Sequence, residues 1–352
     1  MTDVPTLTDG TVVVRAWRDG DVEPSVAGQD AEVDHWFGQP GGLTVEHQRE
    51  VVERWRAEAR EGRRISFVVA LADDETVPVG NVELRRIDEH QAELSWWLYA
   101  GQRGRGSATR AVRVVVDWAL TEAAQGGAGY SRVQARVEPE NQRSMRVATR
   151  SGLRREGVQR VALGTGDRAE TEAYVVLARL ASDPPLSEPG AFRALLNSFL
   201  PRKRAIAQML VRDESTPEPR VLLCGLTYKQ DWDLPGGVVE VGESPHVAVA
   251  REVTEELALD IPAGPLLLTD WLPPWGGWDD ALCLVFDGGT HPAALLEQVV
   301  PQAREIREAA FLTLDEVAER AADFTTRRVA AALARVGAAG DGPGYSESGR
   351  PV

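Results

Sequence analysis

The stretch "ASDPPLSEPG" at 181–190 divides the chain. Pro184, Pro185 and Pro189 fix their own φ and lack the N–H that a helix interior or central strand requires, and no apolar period runs through the stretch. One core must therefore close before it and another after it. At 352 residues, each part is long enough to bury its own core. This predicts a first domain at 8–181, a linker at 182–202 that includes the helix-like "AFRALLNSFL", a second domain at 203–336 and a disordered tail at 337–352.

Both domains alternate helical and strand periods, which predicts a mixed α/β (α+β) fold class for each. In the first, strands are expected at 11–17, 65–72, 78–87, 91–99, 131–137, 155–163 and 170–180, with helices at 19–27, 44–61, 107–124 and 141–151. In the second, strands are expected at 203–213, 219–226, 265–271, 281–287 and 309–313, with helices at 245–257 and 315–336.

Net charge is −15, which argues against a partner such as duplex DNA or RNA. Its distribution is uneven. Residues 1–100 hold 10 Arg and 20 acids, residues 101–160 hold 12 Arg and 5 acids, and residues from 181 onward hold 15 basic and 26 acidic side chains. A basic stretch between acidic ones points to a local anion site. No apolar run reaches membrane-spanning length and no leader pattern opens the chain, so neither a membrane span nor a signal peptide is expected. Cys224 and Cys283 sit in apolar runs without metal-type spacing, as buried thiols of a reducing cytoplasm would.

"GGVVEVGESPHVAVAREVTEEL" at 236–257 crowds acids onto one helix. Ser244 suits the N-cap, Pro245 the first helical position, and Pro262 enforces an end beyond Leu259. Helical spacing puts Glu252, Glu255 and Glu256 on one face, with Ala250, Val253 and Leu257 turned to a core. Like charges at this spacing repel, and converging hard oxygens suit Mg²⁺ or Mn²⁺.

The same stretch resembles the Nudix hydrolase signature G-x5-E-x7-R-E-U-x-E-E-x-G-U, in which U is aliphatic. Gly237, Glu243, Arg251, Glu252, Val253, Glu255, Glu256 and Leu259 match it, and Ala258 stands where the signature has glycine. The resemblance implies an α/β/α sandwich that hydrolyses a nucleoside diphosphate linked to another group. Glu252, Glu255, Glu256 and the Gly237 carbonyl would hold the metal, a glutamate would act as base, and Glu243 would pair with Arg251. Alanine at a left-handed helix end costs on the order of 1 kcal/mol. Glu305 and Glu308 are either further candidates for the base or solvated charges. Trp275 and Trp278 in "WLPPWGGWDD" either stack a nucleobase or pack beneath the proline-rich loop.

"LYAGQRGRGSATRAVRVVVDWAL" at 98–120 sets glycines between a strand and a helix, where backbone N–H groups can approach an anion. Arg103-x-x-Gly106-x-Ala108 resembles the pyrophosphate loop of GNAT acetyltransferases, R/Q-x-x-G-x-G/A. "VVVRAWRDGDV", "AELSWWLYA" and "VEPENQRSMRVATRSGLRREG" are similar, in order, to the ribosomal-protein N-terminal acetyltransferase branch. The resemblance spans about 8–180 and implies a mixed twisted sheet flanked by helices that binds acetyl-CoA.

By that resemblance, backbone amides of Arg103, Gly104, Arg105, Gly106, Ser107 and Ala108 would hold the pyrophosphate, and Asn141 would contact the pantetheine arm. Ser144 would protonate the departing thiolate or is a helix-surface hydroxyl. Glu93 would deprotonate an acceptor amine or is a structural partner of arginines, and Tyr174 is a second candidate acid or a buried strand tyrosine. The acidic first hundred residues suggest a cationic acceptor such as a peptide N-terminus, polyamine or aminoglycoside. The expectation is a bifunctional enzyme. Its alternatives are a hydrolase with a non-catalytic acetyl-CoA-binding domain, and a non-catalytic reader of a nucleotide ligand.

Overall fold

The computed structural model describes residues 4–37, 43–163, 170–227, 231–275, 277–337 and 343–352. The chain forms two compact units, Met1–Leu200 and Pro201–Val352.

The first unit runs β1 (Leu7–Thr8), β2 (Val12–Arg15), α1 (Val22–Ala27), α2 (Ala31–Phe37), α3 (Val45–Arg60), β3 (Arg64–Leu71), β4 (Asp74–Arg86) and β5 (Gln91–Leu98). It continues through α4 (Ser107–Leu120), β6 (Arg132–Val137), α5 (Gln142–Arg150), β7 (Arg154–Leu163), β8 (Glu170–Leu180) and α6 (Pro189–Phe199). Among the described residues the sheet has eight strands in the order β1-β2-β3-β4-β5-β6-β8-β7. Only the β5–β6 pairing among them is parallel, and it covers just Gln91–Arg132, Ala92–Val133 and Glu93–Gln134. Beyond Glu93 the two strands part, which leaves a gap in the middle of the sheet.

Strand alternation divides the two faces. Val82, Leu84, Leu94 and Trp96 pack with Val112, Val115 and Val116 of α4 in one core. On the other side Val68 joins Trp17, Val51, Val52 and Trp55 beneath α1 and α3. Burying a side chain such as Leu94, 2% exposed, is worth about 1.5–3 kcal/mol.

The second unit runs β9 (Arg204–Asp213), β10 (Arg220–Leu226), β11 (Trp232–Asp233), β12 (Gly236–Val238), α7 (Pro245–Leu257), β13 (Leu266–Leu272) and β14 (Ala281–Thr290). It closes with β15 (Ile306–Leu312), α8 (Leu314–Arg320), α9 (Asp323–Leu333), β16 (Gly344–Glu347) and β17 (Arg350–Pro351). The sheet orders β11-β10-β9-β14-β13-β16-β17, with β12 paired to β9 and β15 to β10. Met209, Val211, Leu222 and Cys224 face α7 in one core, while Leu210, Val221 and Leu223 meet Val317, Val329 and Ala332 of α8 and α9 in another. The result is a helix–sheet–helix sandwich, and both cysteines are buried free thiols.

Four expectations change. Residues 189–199 do not behave as linker: α6 buries Ala191 and Leu195, Ser198 Oγ accepts from the Arg155 N–H of β7, and the first unit extends to Leu200. The helix expected at 107–124 stops at Leu120, because Thr121 turns extended (ψ 138°). The helix expected at 315–336 is two helices, because Ala321 becomes extended (φ −102°, ψ 161°) and bridges Trp232. The tail is not disordered over 343–352: β16 pairs parallel with β13, and Ser346 is fully buried. Residues 338–342 of that tail lie outside the described residues.

Candidate active sites

In the first unit, a cavity of about 1150 Å³ reaches both faces of the sheet at the parted strands. Arg103, Gly104, Gly106, Ala108, Asn141, Ser144, Glu93 and Tyr174 all line it. The fold thus gathers eight positions that the sequence spreads over 82 residues (93–174). Arg105 and Ser107 are not among the lining residues.

Gly104 (φ +80°) and Gly106 (φ +85°) take left-handed backbone, which a Cβ would strain. Gly106 occupies the N-cap of α4 without a side-chain cap, and the first intrahelical bond comes from the Arg110 N–H. The preceding N–H groups of the first turn are therefore open to an anion. Arg143, Arg146 and Arg150 on α5 line the same cavity.

The side chains of Arg103, Asn141, Glu93 and Tyr174 are engaged with their neighbours, and Glu93 is a partner of arginines, one of the two readings the sequence left open. Arg103 points its guanidinium at Asp30 (2.7 and 2.8 Å), Glu32 (2.8 Å) and the Leu98 carbonyl (2.9 Å). The Arg103 hydrogen bond holds the Asp30 carboxyl below its ordinary range. Asn141 caps α5, its Oδ1 accepting from the Ser144 N–H at 3.0 Å. Glu93 is 8% exposed and accepts from Arg85 (2.7 Å) and from Arg136 (2.7 and 3.2 Å). Tyr174 lies under the Arg136 guanidinium, 5.7 Å from the ring centroid. The lining contains eight arginines and four glutamates.

In the second unit, α7 begins at Pro245, and Ser244 occupies the N-cap without a side-chain bond. Ala248, Val249, Val253 and Leu257 fill the core, while Ala250, expected there, is only half-buried. The helix ends at Ala258 in left-handed geometry (φ 57°, ψ 26°), where the signature has glycine. Arg251 donates to both Glu243 oxygens, at 2.9 and 3.0 Å, and its further bonds reach Glu252 and Glu255 at 3.0 Å. That pairing tethers the 237–244 loop to the helix and holds the Glu243 carboxyl low.

Beneath them lies β12. The Gly236 N–H donates to Glu256 Oε2 at 3.0 Å, and a Cβ at Gly237 would come within 2.5 Å of Glu252 Cδ. A side chain at Gly237 would push that carboxylate away from the backbone. Burial is the main reason that Glu256, 6% exposed, is pushed up to about 7, and the charges of Glu252, Glu305 and Asp233 add to it. Glu305 therefore acts on the cluster electrostatically. Glu308 instead sits across from Gly225 on β15.

The donor set fits a hard divalent cation by its oxygens, its burial and its mutual repulsion. Among the described residues, no three His, Cys, Asp or Glu side chains stand ready as a metal cage. Glu252 and Glu255 would have to leave Arg251 to ligate. Trp275 and Trp278 are 63% and 57% exposed; Arg204 covers the Trp278 ring at 4.7 Å and Phe324 meets Trp275 edge-on at 6.0 Å. Neither ring is packed beneath the loop.

Family comparisons agree with this division. The acetyltransferase (GNAT) domain model matches residues 11–154 and the NUDIX domain model residues 201–333. "Probable N-acetyltransferase YjcK" of Bacillus subtilis (strain 168) is 32% identical over 163 residues, covering 44% of this chain and 86% of that protein. A "MutT-like protein" of Streptomyces ambofaciens is 30% identical over 129 residues, covering 37% of this chain and 75% of that one. Mycobacterium smegmatis RimJ, solved with CoA-disulfide, is 26% identical with a TM-score of 0.43, covering 55% of this chain and 93% of that chain. The chain belongs to the GNAT acetyltransferase family through its first unit and to the Nudix hydrolase family through its second.

Several lining residues were not singled out from sequence: Trp17, Trp55, Arg64, Glu83, Arg85 and Arg136. The alternation in "NVELRR" and "RVQARV", apolar at one parity and polar at the other, was the available signal.

Proposed function

We propose that the chain is a bifunctional enzyme: an acetyl-CoA-dependent N-acetyltransferase acting on an amine, and a divalent-metal-dependent hydrolase of nucleoside-diphosphate-linked substrates. The observation that carries the hydrolase is the seating of Glu252 and Glu256 on Gly237 and Gly236, with Arg251 locked to Glu243. Glu252, Glu255, Glu256 and the Gly237 carbonyl would hold Mg²⁺ or Mn²⁺. The bound ion would polarise the diphosphate and lower the pKa of the attacking water. Glu256, buried, and Glu305, exposed, are proposed as the carboxylates that would take the water's proton. Trp275 and Trp278 offer exposed rings for a base.

For acetyl transfer, the open N–H groups at the start of α4 and the α5 arginines would hold the CoA pyrophosphate. The Asn141 amide, whose Oδ1 caps α5, keeps its NH₂ for a pantetheine carbonyl. The acceptor nitrogen attacks the acetyl carbonyl; a C–N bond forms, the C–S bond breaks with its electron pair going to sulfur, and the amine's proton passes to solvent water. Ser144 or Tyr174 would return a proton to the thiolate. Glu93 is proposed as the anchor of Arg85 and Arg136 rather than as the base, because its oxygens already accept from both arginines.

Two assays on the full chain test this reading: thiol release from acetyl-CoA with amine acceptors, and phosphate release from nucleotides with Mg²⁺. Turnover in both is expected. Acetyl-CoA binding without thiol release for any amine would leave only a binding role for the first unit, and release independent of amine would make it a thioester hydrolase.

A further inference from the structure

The sheet face beneath α3 is polar. In register, Arg64 lies opposite Arg85, Arg85 opposite Glu93, and Glu93 opposite Gln134; one same-face step away, Ser66 lies opposite Glu83 and Glu83 opposite Ser95. Arg136, two residues beyond Gln134, shares this face. From α3, Arg54 and Trp55 line the same cavity.

The charges here do not balance. Four arginines (54, 64, 85 and 136) meet three glutamates, Glu83 and Glu93 in the lining and Glu58 of α3, whose Oε2 lies 3.1 Å from Arg64 Nε. Glu93 is already shared by Arg85 and Arg136. Glu83, 6% exposed, has Arg64 at 3.6 Å, and burial raises its carboxyl pKa, which weakens the negative side further. Arg85 Nε and Trp55 Nε1 are buried donors without a hydrogen-bond partner; on the same face Asn81 Oδ1 and Glu58 Oε2, the atom beside Arg64, are buried acceptors without one. A buried donor left unmade costs about 1–3 kcal/mol, so Arg85 and Trp55 favour an acceptor group against this part of the wall.

We propose that this wall binds an anionic group on the acetyl acceptor, so that the acceptor is an amine carrying a carboxylate a few bonds from its nitrogen. This rests on the acetyltransferase reading and replaces the cationic acceptor that the acidic composition suggested. The chemistry is shared by a free acidic amino acid and by the N-terminus of an acidic peptide. In either case the nitrogen attacks the thioester from the gap between β5 and β6, while the carboxylate lies against Arg85, Arg64 and Arg54.

The test is thiol release from acetyl-CoA by the full chain, with acceptors matched in their amine. The panel is a Ser-Asp-Glu peptide, its Ser-Asn-Gln and Ser-Lys-Lys counterparts, and free glutamate beside its dimethyl ester. The acidic members should exceed the neutral ones in kcat/KM by at least about tenfold, mainly through KM. Arg54→Glu, a change at an exposed position of α3, should erase most of that preference, and Arg85→Gln should do the same. Glutamate against the acidic peptide separates the two sources. Preference for neutral or basic acceptors, or an acidic preference unmoved by Arg54→Glu, overturns the proposal. If acetyl-CoA binds but no amine turns over, equilibrium binding of the acidic peptide to the CoA-loaded chain decides. Saturable binding lost in Arg54→Glu supports the proposal, and no binding overturns it. Failure to bind acetyl-CoA at all defeats the acetyltransferase reading, and the proposal with it.

Discussion

Arg328 of α9 donates its Nε to Asp270 of β13 at 2.9 Å, and both residues are shut off from solvent, at 1% and 0% exposure. The same carboxylate receives Ser346 Oγ at 2.6 Å and the Gly349 N–H at 2.8 Å, which is how the C-terminal strand is fastened to the sheet. Arg328 also reaches Gln208 at 3.0 Å and lies 3.6 Å from Asp233, on the strand that leads to Gly236. The fastening thus backs the wall of the hydrolase site.

Removing one partner of such a pair leaves a buried charge without compensation. Asp270→Ala should cost roughly 3–5 kcal/mol, while Ser346→Ala should cost only about 1 kcal/mol. Urea unfolding of the full chain, followed in the transition of the second unit, checks both. Equal costs for the two would show that the ion pair contributes little.

Ala258 holds φ 57° at the end of α7. Ala258→Gly removes that strain and should raise stability by about 1 kcal/mol. The check is an upward shift of the urea midpoint with unchanged slope. A downward shift would mean that glycine's larger unfolded-state entropy outweighs the relief.

Glu83 has its pKa raised by burial, with Arg64 and Arg85 opposing. A carboxyl whose folded pKa lies above its unfolded one contributes stability below the unfolded value, and loses it as pH rises through the folded value. Glu83→Gln should therefore gain stability relative to the parent chain as pH rises from the ordinary carboxylate range toward neutrality. Parallel melts across that range read the sign directly, and a difference that shrinks with rising pH would contradict it.

Glu93 separates two readings of one residue. As the anchor of Arg85 and Arg136, its replacement by Gln should raise the acceptor KM and leave kcat within about tenfold. A loss of 10²-fold or more in kcat, with loss of the acidic limb of the pH profile, would restore it as the general base. Steady-state acetyl transfer across pH distinguishes the two.

Much of this was legible in the sequence, for reasons that differ by element. The acidic face of α7 was readable because its chemistry lies within one helix, at spacings of three and four residues. The glycines at 104 and 106 were readable because the left-handed turn before α4 suits few other residues. The arginine-lined wall was not, because it needs the cross-strand register of β3, β4, β5 and β6, which no local pattern states. The last strand was missed because "GPGYSESGRPV" has the composition of a loose tail. Its order comes from a carboxylate 76 residues before Ser346, and Asp270 within the apolar "LLLTDWL" was the sole local hint of a buried partner.

The central claim is two active sites on one chain, and Glu256→Gln addresses it most directly. Mg²⁺-dependent release of phosphate or pyrophosphate would be measured over dNTPs, oxidised dNTPs, ADP-ribose, NADH, nucleotide sugars and CoA. Acetyl-CoA turnover with amines would be followed in the same preparations. The parent chain should hydrolyse one class of these nucleotides, and the variant should lose that activity by at least about 10²-fold while acetyl transfer persists. Hydrolysis undiminished in Glu256→Gln, or absent from the parent chain despite bound Mg²⁺, would contradict the account.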